Sequence, residues 1–185
     1  MKYSYSDWNH RQGTIPVNWQ PKDYVDLPWY ENPDKDQGFS TPKENYDIYK
    51  ERVGCLIPKF EHVGKGIFIP KDVDRIFGYV LDYFNLDNPV YAFAKYKPGL
   101  MLPWHKDNYP TYARNKKAEV QNIARIMIFL HDPAPGHQLW IEDKFCTGPA
   151  GSWFSWHGAT KHMAANLGET DRYVVQITGI VPQTF

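Results

Sequence analysis

The sequence predicts a mainly β protein, a sandwich or small barrel of the jelly-roll type with at least one packing helix. Aromatic residues make up 16% of the 185 residues, alongside 15 prolines and 13 glycines, a composition typical of short strands joined by turns. After Pro89, about seven short segments rich in aromatic and β-branched residues follow one another without a helical period between them. Turn sequences such as DPAPG and TGPAG separate these segments.

The N-terminal third differs from the rest of the chain. Five prolines within residues 1–50 leave no room for a long regular element. The same stretch carries large aromatic side chains, which must be buried to be ordered: Trp8, Trp19, Tyr24, Trp29, Tyr30 and Phe39. We therefore predict an irregular wrap over residues 1–65 that packs on a core of residues 66–185. A lid over a binding site is the alternative.

The predicted packing helix begins after Pro70. Asp72 can cap its N-terminus. Apolar residues then recur at three- and four-residue steps, which places them on one buried stripe: Val73, Ile76, Phe77, Val80, Leu81 and Phe84. The turn residues from Asn85 to Pro89 end the helix, and the stripe is interpreted as core.

Seven predicted strands follow the helix, each bounded by turn residues: 90–96, 100–105, 123–130, 137–142, 152–156, 162–166 and 172–181. The polar stretch 106–122 is the one long insertion among them. Because it lacks strand or helix periodicity, we expect a mobile loop that gates access to a site at its start. A plain surface connection between two strands is the alternative.

Composition limits the partners and the compartment. Lys plus Arg and Asp plus Glu number 21 each, and this zero net charge argues against a dedicated nucleic-acid partner. Two cysteines are too few for a disulfide framework and favour a reducing compartment. No apolar run approaches the ~20 residues of a membrane span. We expect a cytoplasmic protein without a membrane partner.

The clearest chemical signal is the sequence PWHKD, in which His105 and Asp107 stand two residues apart at the end of a predicted strand. Residues i and i+2 of a strand share a face, so both side chains could bind one ion. The pair alone is weak evidence, because a core histidine beside a surface aspartate is common. His162, at the start of a later strand, completes two imidazoles and one carboxylate, a set that suits non-haem Fe(II).

The stretch from about Val90 to Val181 resembles the Fe(II)- and 2-oxoglutarate-dependent dioxygenases. Their pattern is HxD, then a distal His, then Arg or Lys about ten residues later. His105, Asp107, His162 and Arg172 match all four parts. The resemblance implies a double-stranded β-helix, which is a cupin-like jelly roll, with Fe(II), 2-oxoglutarate and O2 as cofactor and cosubstrates. Residues 1–65 match no part of the pattern.

The resemblance also implies roles for two arginines. Arg172 would bind the distal carboxylate of 2-oxoglutarate, because the planar guanidinium can bind a carboxylate through two hydrogen bonds; a surface arginine paired with Asp171 or Glu169 is the alternative. Arg125, within the apolar strand 123–130, is a candidate for a cosubstrate or substrate carboxylate, with an outward-facing or structural arginine as the alternative. Apart from the resemblance, Tyr96 could offer its hydroxyl to the cosubstrate, with a place in the barrel core as the alternative.

His157 competes with His162 as the third metal ligand. Ten residues after His157 stands Leu167, which cannot bind a carboxylate, whereas the same count from His162 reaches Arg172. The family pattern therefore favours His162. His131 and His137 flank the DPAPG turn and are interpreted as turn histidines, with a place on the rim of a pocket as the alternative.

These features predict a hydroxylase that acts on a C–H bond of a peptide side chain or small metabolite and releases succinate and CO2. Arginine at position 172 differs from the lysine of the collagen-type and bacterial prolyl 4-hydroxylases. It points towards the aspartyl/asparaginyl β-hydroxylase-like or small-molecule branches. The alternatives are a cupin-type metalloprotein with other chemistry and a binding module on the same scaffold. Cupins of the first kind usually employ three histidines, and a binding module is expected to lack a ligand.

Overall fold

A computed structural model describes Trp8 and residues 10–31, 61–64 and 71–182 of the chain. Eleven strands lie in this part of the chain: β1 (Gln12–Thr14), β2 (Tyr30–Glu31), β3 (Glu61–Gly64), β4 (Asp87–Tyr96), β5 (Leu100–His105), β6 (Ile123–Phe129), β7 (His137–Ile141), β8 (Lys144–Phe145), β9 (Ser152–His157), β10 (His162–Asn166) and β11 (Arg172–Ile180). The helices are α1 (Lys22–Val25), α2 (Lys71–Tyr83) and α3 (Pro110–Lys116), with a short 3-10 helix over Val120–Asn122.

The strands form two antiparallel sheets. The larger sheet has the order β1-β9-β6-β11-β4-β3-β2, and the smaller has the order β5-β10-β7-β8. Neighbours in each sheet are often distant in sequence, as in a jelly roll, so the chain crosses between the sheets repeatedly. The prediction of a mainly β, jelly-roll fold is confirmed.

The larger sheet is covered on both faces. Between the sheets lies a core that includes Tyr96, Leu102, Met127, Leu139 and Trp156. Because strand side chains alternate, the neighbouring residues on the strands of the larger sheet point to the opposite face of that sheet. There they meet helix α2 and the N-terminal segment in a second core. This double covering explains why several of these strands read as almost continuous apolar runs.

The N-terminal segment contributes large rings to that second core. Trp8, Trp19 and Tyr24 are buried, and Trp19 stacks on Phe77 of α2 at 5.4 Å between ring centres. The Trp19 indole donates a hydrogen bond to the carbonyl of Leu130 at 2.8 Å. The side chains of Tyr30 and Phe39 and the predicted boundary at residue 65 lie outside the described residues, so the boundary stays a prediction.

All seven strands expected from the sequence are present, with ends displaced by at most a few residues. The helix begins at Lys71, so Asp72 lies within it and not at its cap. The structure also contains β1, β2, β3 and β8, which are too short to give a clear alternating pattern. None of the described helices is long and apolar enough to cross a membrane.

Candidate metal centre

A bulge in β5 turns His105 towards the interior. Across β10, His162 pairs with His105 and Ala164 with Leu102, so β5 uses three residues where β10 uses two. Pro103 lies within this irregularity, where its missing N–H is tolerated. The extra residue restores the alternation, so that His105 faces the same side as Leu102. The bulge therefore places the first histidine inside the barrel.

His105, Asp107 and His162 lie together in the structure. Their potential ligand atoms are all within 4.8 Å of one another, and the two imidazole ring centres are 4.2 Å apart. Nε2 of His105 is 3.7 Å from Oδ1 of Asp107, and Nε2 of His162 is 3.6 Å from Oδ2. Among the described residues, no other group of histidine, cysteine and acidic side chains comes together in this way.

Backbone carbonyls fix the orientation of both imidazoles. Nδ1 of His105 lies 2.6 Å from the carbonyl oxygen of Pro103, and Nδ1 of His162 lies 3.0 Å from that of Thr160. In each case the partner is two residues earlier in the chain, and its oxygen can only accept. Nδ1 must therefore donate in each of these contacts, and Nε2 is the atom directed at a metal.

Burial keeps His162 neutral. Removal from water lowers the pKa of His162 to about 4, although the neighbouring Asp107 acts in the opposite direction. A neutral imidazole at neutral pH is the form that binds a metal. Its ring also lies 4.7 Å from the ring of Trp156, centre to centre.

Asp107 lies two residues beyond the end of β5, so loop contacts and not strand alternation determine its position. The Tyr109 hydroxyl donates a hydrogen bond to Oδ2 at 2.6 Å, and Nε of Arg125 lies 3.5 Å from the same oxygen. Burial by itself raises the pKa of Asp107, but Arg125, the two histidines and Tyr109 outweigh it and lower the pKa to about 2. The carboxylate is therefore ionised and ready to bind a cation.

Arg125 faces the interior and is the partner of Asp107, a contact that the sequence did not predict. Its Nε donates to the Tyr109 hydroxyl at 3.2 Å, and its Nη1 donates to Oε1 of Gln176 at 3.3 Å. Burial by itself lowers the pKa of Arg125, but Tyr109 and Asp107 raise it above the ordinary value. The guanidinium therefore stays charged beside the candidate ligand.

Gln176 links this network to Tyr96. Its Nε2 donates a hydrogen bond to the Tyr96 hydroxyl at 3.2 Å, while its Oε1 accepts from Arg125. Sequence reasoning overlooked Gln176, although a single amide within the apolar run RYVVQITGI is a signal for an inward polar residue. Tyr109 has a weaker signal in the sequence, because only its position two residues after Asp107 suggests a contact with that carboxylate.

Arg172 is buried in the interior. Its exposed fraction is 3%, its Nη1 has no hydrogen-bond partner among the described residues, and its Nη2 lies 3.5 Å from the sulfur of Met127. No described carboxylate is paired with it. Its guanidinium carbon lies 5.1 Å from the ring centre of Tyr96 and 5.4 Å from that of Phe129. Burial lowers the pKa of Arg172 to about 10, so the side chain is charged at neutral pH.

His157 is the last residue of β9 and belongs to the opposite face of the sheet. Trp156 lies in the core between the sheets, whereas Trp153 packs in the second core beneath α2. His157 lies four residues from Trp153, so in an alternating strand both side chains are on the same face. His157 is therefore directed away from the candidate metal centre. The structure places His162 and not His157 beside Asp107.

The segment 106–122 is more regular than the sequence predicts. Residues Pro110–Lys116 form α3, with Pro110 in the first turn and Lys117 in a left-handed conformation at the C-terminal end. Proline suits the start of a helix because its missing N–H would have no partner there. The expectation of a stretch without helical structure was wrong, because Pro110 indicates a helix start and not only a break.

His131 and His137 lie at the opposite end of the smaller sheet from the candidate ligands. Their ring centres are 5.5 Å apart. His131 Nε2 accepts from the backbone N–H of Tyr173 at 3.0 Å, and His137 Nε2 lies 3.1 Å from the carbonyl oxygen of Thr170. These contacts tie the turn between β6 and β7 to β11 and to the loop before it, a structural role for both histidines.

Comparison with known proteins places the fold. No family model and no curated protein matches the sequence. A prolyl-4-hydroxylase from Pseudomonas putida is similar over 96% of this chain and 95% of that chain, with a TM-score of 0.55 and 14% identity. A cupin protein from Bacteroides fragilis matches 56% of this chain and 75% of its own, with a TM-score of 0.39 and 12% identity.

A third similar structure is a predicted oxalate decarboxylase from Thermotoga maritima, which matches 66% of this chain and 82% of its own, with a TM-score of 0.41 and 15% identity. At such identities the likeness concerns the fold. The chain therefore has a cupin-like jelly-roll fold, and its interior brings together a His-Asp-His group that could hold a metal ion.

Proposed function

We propose that the protein is an Fe(II)- and 2-oxoglutarate-dependent dioxygenase that hydroxylates a C–H bond of a peptide side chain or small metabolite, with release of succinate and CO2. Arg172 is the observation that carries this proposal. A buried guanidinium without a carboxylate partner among the described residues is costly unless an anion joins it. The distal carboxylate of 2-oxoglutarate is an anion of the required kind.

The donor set fits a divalent iron ion. Two imidazoles and one ionised carboxylate converge, and ligands at ~2.0–2.2 Å from one ion need only a small inward movement from the observed separations. The set matches the two-histidine, one-carboxylate arrangement of non-haem Fe(II) oxygenases. A carboxylate in place of a third histidine favours this class over cupins that employ three histidines.

Bound there, iron would supply the activation of dioxygen and the oxidative decarboxylation of the cosubstrate, chemistry that no side chain provides. The chain's own residues bind and orient. His105, Asp107 and His162 hold the metal on the smaller sheet, while Arg172 holds the cosubstrate's distal carboxylate from the larger one. The fork of the guanidinium accepts a carboxylate in a defined plane and so fixes the direction of the bound molecule.

Two further groups are available to the cosubstrate. Nε1 of Trp156 is buried and has no hydrogen-bond partner in the part of the chain that the structure describes, and the indole ring lies beside His162. A donor in this position can bind an oxygen atom of a molecule held at the metal. The Tyr96 hydroxyl accepts a hydrogen bond from Gln176 and the Tyr96 ring packs against Arg172, so the hydroxyl can donate to the distal carboxylate, as the sequence suggests.

The proposed substrate class rests on the net charge of the chain and on the residue at position 172. The chain has no net charge, which favours a peptide or small metabolite over nucleic acid. The arginine at position 172 supports a place near the β-hydroxylase-like branches. The likeness to the Pseudomonas putida prolyl-4-hydroxylase supports the proposal through the shared fold.

The proposal is tested by the formation of succinate from 2-oxoglutarate by the purified protein. We expect turnover that requires both Fe(II) and O2 and that is absent from His162→Ala but retained by His157→Ala, whose side chain points away from the site. A metal-loaded protein that neither binds 2-oxoglutarate nor forms succinate would instead be a cupin-type metalloprotein with other chemistry.

A further inference from the structure

The carboxylate of Asp107 has two chemically different oxygens. Oδ2 accepts the hydrogen bond from the Tyr109 hydroxyl at 2.6 Å and also faces Nε of Arg125 at 3.5 Å. Within the described part of the chain, this is the one hydrogen bond that the Asp107 carboxylate accepts. Each oxygen also faces one of the two candidate histidine ligands, Oδ1 at 3.7 Å from Nε2 of His105 and Oδ2 at 3.6 Å from Nε2 of His162, so only the contacts with Tyr109 and Arg125 distinguish them. One oxygen is therefore engaged by the protein, and the other remains available.

From this asymmetry we propose that Tyr109 is a positioning residue that keeps Asp107 a metal ligand through Oδ1 alone. The inference rests on the proposed function, because it assumes that the His-Asp-His group holds the metal. A carboxylate that binds through both oxygens occupies two coordination positions. By holding Oδ2, Tyr109 leaves one more position for the exogenous ligands.

The protein holds Tyr109 firmly enough for this role. Tyr109 adopts a left-handed conformation with φ 45°, which a non-glycine residue rarely adopts unless its surroundings hold it there. Its carbonyl accepts a hydrogen bond from the backbone N–H of Ala113, in the first turn of α3, at 2.8 Å. The residue is thus anchored where the loop becomes helix.

Two neighbours confine the ring of Tyr109. A Cβ added at Gly158 would lie 2.8 Å from Cε2 of the ring, so the turn after β9 packs directly against it. The guanidinium carbon of Arg125 lies 4.9 Å from the ring centre. With the ring confined in this way, the hydroxyl is directed at Oδ2 and cannot easily turn away.

Removal of the hydroxyl alone tests the proposal. In Tyr109→Phe the ring keeps its contacts with Gly158 and Arg125, but Oδ2 loses its hydrogen bond. The 3.5 Å separation from Arg125 is longer than a good hydrogen bond, so Oδ2 becomes free to join Oδ1 at the metal. Tyr112→Phe is the matched control, because it removes a hydroxyl of α3 that donates to the carbonyl of Asn88 and not to Asp107.

The measurement is the water-proton relaxivity of the full-length protein loaded with Mn(II), which increases with the number of metal-bound waters. We expect Tyr109→Phe to lose one bound water, a fall in relaxivity of about one third for a triad that leaves one face of an octahedron open. Tyr112→Phe should match the wild type. Equal relaxivity in the wild type and Tyr109→Phe would overturn the inference, whatever happens to metal affinity.

The same experiment separates this inference from the proposed function. If His162→Ala leaves Mn(II) binding unchanged, the His-Asp-His group is not the metal site, and both proposals are overturned. If His162→Ala loses Mn(II) while Tyr109→Phe keeps the wild-type relaxivity, only the role of Tyr109 is overturned. Melting temperatures of the metal-free variants confirm that each protein is folded when it is compared.

Discussion

Arg172 lies directly opposite Tyr96 across the β11–β4 pair, and the charged guanidinium packs against the tyrosine ring with no described carboxylate nearby. Two electron-rich rings, Tyr96 and Phe129, partly replace the water that the cation has lost. They do not neutralise its charge. The interior therefore contains a charged guanidinium, Arg172, that a bound anion would neutralise.

The uncompensated charge has a consequence for stability. In Arg172→Met the metal-free protein should be more stable than the wild type by about 1–3 kcal/mol, because a well-packed apolar side chain removes the desolvation of a buried charge. Urea unfolding of both proteins measures the difference. Arg114→Met, on the exposed face of α3, should change stability little. Marked destabilisation of Arg172→Met would indicate a structural role for the guanidinium.

Metal binding should depend on the three candidate ligands and not on the nearby His157. Single replacements of His105, Asp107 or His162 by alanine should weaken Fe(II) binding at least tenfold, since each removes a ligand. The fold should survive, because the apolar strands hold the barrel. His157→Ala should bind like the wild type, since its side chain faces the other core. Anaerobic titration with Fe(II) tests all four variants. Loss of binding in His157→Ala alone would contradict the assignment.

The stability of the metal-free protein should fall as the pH falls from about 7.5 to 5. Burial lowers the pKa of His131 and of His137 below the value that each has in the unfolded chain. The unfolded state therefore binds protons first, and stability present above the unfolded pKa is lost as the pH decreases. Unfolding free energies across this range should vary less in the double variant His131→Asn/His137→Asn. If the unfolding free energies of both proteins change equally with pH, the two histidines are not the source of the pH dependence.

The segment that contains α3 should couple cosubstrate turnover to substrate oxidation. α3 begins next to Tyr109, which contacts Asp107, so its loss changes access to the metal and the shielding from water. When a Gly-Ser bridge replaces residues 111–119, substrate hydroxylation should be lost while uncoupled 2-oxoglutarate decarboxylation persists. Succinate and hydroxylated product are measured in parallel. Equal yields of the two by the shortened protein would leave the segment a simple connector.

The sequence predicted the fold well because its strongest signals are local. Short apolar strands and turn residues are visible in the chain, so all seven strands were found near their observed positions. The bulge that directs His105 inward was not visible, because it depends on the register with β10. Strands β1 and β2 were missed for a related reason, since elements of two or three residues owe their existence to pairing with neighbours.

The candidate site could be predicted in part. Four of its residues could be predicted because their types and spacing are visible in the sequence: His105, Asp107, His162 and Arg172. The structure brings the first three together. The pairing of Arg125 with Asp107 and Tyr109 depends on two sheets facing each other, which strand alternation alone does not specify. The sequence therefore identified Arg125 as a candidate but did not predict these two contacts, and its role towards a cosubstrate or substrate carboxylate stays a prediction.

Binding of 2-oxoglutarate at Arg172 is measured by calorimetric titration into the anaerobic Fe(II)-loaded protein, with Arg172→Met alongside. We expect one molecule bound per chain, binding that requires the metal, and an affinity about 10- to 100-fold weaker in Arg172→Met, since a charge-assisted hydrogen bond contributes about 1.5–3 kcal/mol. Absence of metal-dependent binding, or the same affinity in the wild type and Arg172→Met, would contradict the proposal.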